Sequence, residues 1–107
     1  MKIYLASPYS HKHFLIRKMR FDDVCQRAAD LMQDGHVVFS PIAHSHPISQ
    51  WLDNPNDSDF YLKQDLALLP FFDEMWVLTL DGWRESKGIA REIEYANKLG
   101  IKVKYIA

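Results

Sequence analysis

Residues 75–106 read MWVLTLDGWRESKGIAREIEYANKLGIKVKYI, and this stretch decides the fold. It opens on an apolar run, Met75–Leu80, breaks at Asp81-Gly82-Trp83, carries a helical pattern from about Ser86 to Leu99, and closes at Gly100, where a helix cap belongs. A second apolar run, Lys102–Ile106, follows at once. Two strands joined through a helix lie parallel, because a parallel pair needs a crossover of about a dozen residues or more. The N-terminal half repeats the plan. Lys2–Ala6 reads as a strand, and so does His36–Ser40. Between them a helix runs from about Phe14 to Asp34, with Phe21, Val24, Cys25, Ala28, Leu31 and Met32 on the helical period and Gly35 as its cap. A further helix spans about Asp59 to Leu69 and stops at Pro70. Val-rich runs of this kind suit strands covered on both faces. The expectation is an α/β fold: a doubly wound, flavodoxin-like parallel sheet of four to five strands with flanking helices, in the order 2-1-3-4, over residues 1–107 as one domain. Pro41–Ser58 reads as one long irregular stretch, of the kind that forms binding loops.

Composition narrows the function classes. The chain has 107 residues, is 48% hydrophobic, and has a net charge of -1 with His neutral. Its basic residues are interspersed with acids, so no electrostatic footprint for a nucleic-acid duplex is present. One cysteine, Cys25, precludes an internal disulfide and fits a reducing cytoplasm. The opening residues lack a signal-peptide layout, and no stretch approaches the roughly 20 apolar residues of a membrane span. The expected location is cytoplasmic.

Two carboxylates fall on the wrong faces of their helices. On a wheel of about 100° per residue, Ile89, Ile93, Tyr95, Ala96 and Leu99 form an arc that also holds Glu92. In the preceding helix Tyr61, Leu62, Leu66, Leu68 and Leu69 form an arc that holds Asp65. A buried carboxylate is costly unless paired, hydrogen-bonded or protonated. Ion pairing to Arg17, Arg84 or Arg91 is the plain reading for either residue alone. Two such violations in so short a chain point to a site instead. Both lie near the carboxyl ends of strands, where open α/β sheets bind ligands. Tyr4 and Ser86 are candidates to hydrogen-bond Glu92. Two carboxylates across a glycosidic bond support an oxocarbenium-like transition state, one attacking the anomeric carbon while the other manages protons or holds the sugar. For an N-glycoside the leaving group is a nucleobase.

Ile3-Tyr4-Leu5-Ala6-Ser7-Pro8, Gln64-Asp65-Leu66 and Ser86-x-Gly88-x-x-x-Glu92-Ile93-x-Tyr95-Ala96 together resemble the nucleoside 2-deoxyribosyltransferase family. The resemblance implies a glutamate nucleophile at Glu92, an aspartate at Asp65 that binds the sugar or assists the base, and a tyrosine at Tyr4 that positions the glutamate. At the place where many of these transferases carry an aspartate toward the nucleobase, this chain has Ser86, more like the branch that hydrolyses deoxynucleoside 5′-monophosphates. That branch has a glycine-rich first loop, whereas Ser7-Pro8-Tyr9-Ser10 contains no glycine. Through Tyr9-Ser10-His11, Gly35-His36-Val37-Val38-Phe39-Ser40, Ser45-His46-Pro47 and Gly82-Trp83-Arg84 the chain also resembles a group of short bacterial and phage proteins of deoxyribosyltransferase type. What the resemblance implies is cleavage or exchange of the N-glycosidic bond of a (deoxy)nucleoside or nucleoside 5′-monophosphate, no cofactor, and a homo-oligomer, dimer or tetramer, in which Trp51, Phe60 or Trp83 supplies apolar contact.

The remaining candidates are expected near the rim formed by the strand ends. Ser7, Tyr9, Gly88, His44 and His46 sit where a base, sugar or phosphate could be held. His44 and His46 flank Ser45, a spacing that can ligate metal, but no third ligand is evident and no metal site is expected. Arg17, at the start of its helix, could meet a phosphate or snorkel to the surface. Trp83 could stack on a nucleobase or pack between subunits. Two other functions stand beside glycosidic cleavage: a non-catalytic nucleotide-binding or sensing module, and cleavage of the nicotinamide–ribose bond of NAD. A phosphate-receiver domain is disfavoured, because Ser7 and Pro8 occupy the place of its acidic pair.

Overall fold

In a computed structural model, which describes all 107 residues, alternation along the first strand organises everything around it. β1 (Lys2–Ala6) lies inside a four-stranded parallel sheet of order β2-β1-β3-β4, with β2 at Val37–Phe39, β3 at Glu74–Leu78 and β4 at Lys102–Ile106. Successive side chains of a strand point to opposite faces. Ile3 and Leu5 therefore join Trp76 and Leu78 beneath Val24, Ala28 and Leu31 of α1 (Phe14–Gln33). Tyr4 and Ala6 join Met75 and Val77 on the other face, packed against Leu69 and against Ile89 and Ala96 of α4 (Lys87–Leu99). The sheet order and the flanking helices are those expected from the sequence, and strand and helix ends agree within one or two residues.

Pro41–Ser58 is not irregular throughout. Residues Pro41–Ile48 form a helix, α2, followed by a 3-10 turn at Ser49–Trp51. Ser40 caps α2 by accepting a hydrogen bond from the Ala43 amide at 3.1 Å, and Pro41 occupies the first turn, where a missing amide proton costs nothing. Pro47 falls near its end, and the helix stops after eight residues.

α3 (Ser58–Leu68) departs from its wheel in an informative way. Its only buried residue is Asp65. Leu68 is exposed, as is Leu99 of α4, and the apolar anchoring passes to Leu69 in the adjoining 3-10 turn, which is fully buried. α3 thus packs Leu66 against the edge of the core and turns Asp65 toward a cleft.

Candidate active site

The cleft lies at the carboxyl ends of β1 and β3, with an open volume of about 1630 Å³. That exceeds the roughly 300–1,000 Å³ of a small-ligand pocket, so a ligand the size of a nucleoside would leave part of it open. Glu92 from α4 and Asp65 from α3 both line it, and they are 6% and 8% exposed. The two carboxylates therefore meet at one hollow, each the sole buried acid of its helix.

Behind Glu92 stands Tyr4. Its ring is fully buried between Phe39 and Phe72, and its hydroxyl donates to Glu92 Oε2. A buried phenol needs a partner, and the strand alternation that places Tyr4 on the α4 face leaves it this one. Glu92 Oε1 takes no hydrogen bond from the chain. Burial pushes the Glu92 carboxyl up to about 8, against the Tyr4 hydrogen bond, and the nearby Asp65 charge adds to the rise. Burial alone raises Asp65 to about 7. The Tyr4 phenol is held far above its ordinary value by burial first and by the Glu92 and Asp65 charges after it. None of the arginines considered as plain ion-pair partners reaches either carboxylate: Arg91 pairs with Asp59 at 3.6 Å, Arg17 donates to the His11 carbonyl, and Arg84 lies over the Trp83 ring.

The other expected residues divide. Ser7, Tyr9, Arg17, His46, Ser86 and Gly88 line the same cleft. Ser7 Oγ is enclosed and has no hydrogen-bond partner. Ser86 does not reach Glu92; its hydroxyl accepts from the Ile89 amide at 3.2 Å and caps α4. A Cβ on Gly88 would meet nothing nearer than Ser86 Oγ at 3.9 Å, so the protein's own packing leaves space there. His44 and Trp83 lie outside the cleft lining. His44 is exposed, its ring 5.8 Å from that of Phe39. Trp83 is half-buried against Tyr105, at a separate small hollow formed by residues 79–85. No three His, Cys, Asp or Glu side chains are grouped to hold a metal ion.

Arg20 is the residue that the sequence reading missed. From α1 its guanidinium donates to the carbonyls of Tyr9 at 3.4 Å, Ser10 at 3.0 Å and Asp81 at 3.0 Å. It ties the loop after β1 to the loop after β3, the two lips of the cleft. Gly82 makes room for it: its φ is 90°, and a Cβ there would come within 2.5 Å of the guanidinium. The helical pattern gave no hint, because half-buried Arg20 bonds only backbone carbonyls, which leave no mark in the side-chain sequence. Gly82 in a non-helical break was the readable half of the contact.

Comparison with known proteins bears on the fold and the family. No curated protein matches the sequence. Among solved structures the chain is similar to a 2-deoxyribosyltransferase from the psychrotolerant bacterium Bacillus psychrosaccharolyticus, at 26% identity and a TM-score of 0.69, over 98% of this chain and 71% of that one. Residues 1–107 match the family described as a domain of unknown function (DUF1937). The chain therefore belongs to the DUF1937 family, built on the flavodoxin-like fold of the 2-deoxyribosyltransferases.

Proposed function

We propose that this protein cleaves or exchanges the N-glycosidic bond of a (deoxy)nucleoside or nucleoside 5′-monophosphate, with Glu92 as the nucleophile. One observation carries the reading: two inward carboxylates from separate helices open on one cleft, and Tyr4 donates to the deeper of them. The structural neighbour, a 2-deoxyribosyltransferase described as a biocatalyst for nucleoside synthesis, supports nucleoside glycosyl transfer at the level of the family.

The chemistry follows from the placement. Ionised Glu92 attacks the anomeric carbon through Oε1, the C–N bond breaks, and the electron pair leaves with the base. Tyr4 holds Oε2, fixing the attack direction. Asp65, near neutral at about 7, supplies a proton to the departing base or hydrogen-bonds a sugar hydroxyl. Water or a second base then takes the sugar from Glu92, giving a hydrolase or a transferase. The catalytic form needs Glu92 without its proton, so kcat/KM has an acid limb in the region of about 7 to 8, where the pair titrates, and with Asp65 as the proton donor it falls again at higher pH. Ser7, Gly88 and Arg17 would meet sugar, base or phosphate from the cleft wall. We also infer self-association, supported by exposed apolar side chains such as Trp51 (77%) and Leu15 (76%).

Incubation with a panel of nucleosides and 5′-monophosphates, with chromatography for freed or exchanged base, tests the reading. Turnover is expected for at least one substrate, falling by ~10³-fold or more in Glu92→Ala, as for other covalent nucleophiles. No freed base from any substrate, or unchanged turnover in that variant, would sink it.

A further inference from the structure

A second polar pair stands in the cleft wall away from the carboxylates. The Tyr9 hydroxyl lies 2.5 Å from His46 Nδ1, and the two rings meet edge to face at 5.5 Å. The His46 ring is itself stacked on Phe21 of α1, with centroids 4.2 Å apart and planes 27° apart. Tyr9 belongs to the loop after β1, and His46 to α2. The contact therefore pins a cleft-lining loop to a short helix through a ring seated on a third element.

The phenol and the imidazole can each donate, so the direction of this bond depends on the tautomer. Arg17 acts on the Tyr9 phenol, and a guanidinium only donates, so the arrangement that serves both gives the phenol proton to His46 Nδ1 and leaves His46 neutral, with its proton on Nε2. The charged groups facing His46 are Lys18, Asp22 and Arg17, all on α1, and Lys18 and Arg17 oppose a second positive charge while Asp22 favours it. Burial, the largest influence, also holds the imidazole neutral.

We propose that His46 is a positioning residue: by accepting the Tyr9 hydroxyl at Nδ1 it holds Tyr9 as a fixed wall of the substrate cleft, and protonation of His46 releases that wall. The proposal rests on the glycosidic reading of the cleft. It assigns a role to α2, which that reading leaves idle. Once Nδ1 carries a proton it donates instead of accepting, so the Tyr9 O–H must rotate away and its oxygen must receive Nδ1–H in competition with the Arg17 guanidinium, which weakens the pin. Tyr9 lines the cleft but makes no bond in the chemical step, so its release weakens substrate binding and alignment without touching Glu92.

Two variants separate the acceptor from the stack. His46→Asn places an amide oxygen near the position of Nδ1 and does not titrate. His46→Phe keeps an aromatic ring on Phe21 and has no acceptor. Steady-state kinetics on whichever substrate the panel identifies, with base release as the signal, should show His46→Phe raising KM by about tenfold, the scale of one hydrogen bond, with kcat less affected. His46→Asn should raise KM by less than His46→Phe does at neutral pH, because it keeps an acceptor for the Tyr9 hydroxyl. Below about pH 6.5, the ordinary histidine value, wild-type KM should climb while that of His46→Asn stays level. Side-chain ¹⁵N NMR of the histidines reads the pin without any substrate. His46 should appear as the Nε2-protonated tautomer, titrate below the ordinary value, and lose both properties in Tyr9→Phe. Equal kinetics for His46→Phe and His46→Asn, or a His46 signal indifferent to Tyr9→Phe, would overturn the proposal. A wild type that frees no base would instead sink the glycosidic reading and the positioning role with it, while the NMR titration would still report the contact.

Discussion

Glu92 is a nucleophile candidate that its own surroundings keep protonated, and that tension sets what single substitutions should do. Tyr4 lowers the Glu92 pKa by donating to the carboxylate, while burial raises it. Tyr4→Phe removes the one contact that favours ionisation. The acid limb of kcat/KM should then move to higher pH, and activity near pH 7 should drop by more than activity at alkaline pH; a loss uniform across pH would contradict this. The same shifts bear on stability. Both carboxylates have folded-state values, about 7 and about 8, above the values of about 3.9 and 4.3 expected unfolded. The folded protein thus keeps protons that the unfolded chain releases. The stability they contribute is complete below about pH 4 and is lost as pH rises through about 7 and 8. The melting temperature should fall from about pH 4 to about pH 8 and level off above that, and Glu92→Gln, which stays neutral, should fall less. Parallel melting curves for the two proteins would argue that Glu92 is not buried as an acid. The anomaly behind these expectations was legible in the sequence, since an acid inside an apolar arc needs only the helical period to be seen. Its partner was half legible: of the two candidate hydrogen-bond donors to Glu92, Tyr4 makes the bond and Ser86 caps a helix instead.

At the scale of elements, the alternation of strands and helices implied a parallel sheet, the order 2-1-3-4 rested on analogy with flavodoxin-like sheets, and the loops after β1 and β3 form the lips of the cleft. Gly88, in the first turn of α4, tests the cleft directly. The chain leaves its missing side chain unfilled, so Gly88→Ala should fold as well as wild type or better, given the preference of helices for alanine by up to about 1 kcal/mol. If the space belongs to substrate, the same variant should lose kcat/KM, and a variant both stable and fully active would show that it does not. α2 was hidden in the sequence for a physical reason. Two prolines and two histidines in eight residues carry little helical propensity, and the element depends on the Ser40 cap and on packing against α1 and β1. Ser40→Ala should cost about 1 kcal/mol, seen as a lower denaturation midpoint. Arg20 was hidden for a different reason. A long side chain that bridges two loops through carbonyl oxygens leaves no periodic trace, because its partners are backbone.

Across the whole molecule, the sheet divides the interior into two cores and sends both carboxylates to one rim. The apolar residues left outside those cores, Trp51, Leu15 and Phe71 among them, are the basis for expecting a homo-oligomer. Light scattering should return a multiple of 12.6 kDa, and a fully active species at the single-chain mass would contradict that expectation. The substrate's base and sugar are not legible at this scale, since the cleft is wider than one nucleoside requires and its wall mixes acidic and basic side chains. The central claim, that the sugar passes through a covalent bond to Glu92, can be tested by stopping turnover with acid and weighing the peptides. The expected result is a fraction of the peptide bearing Glu92 heavier by one sugar residue, with no such species in Glu92→Gln. Base released at full rate with no sugar on that peptide, or with sugar on another residue, would contradict the account.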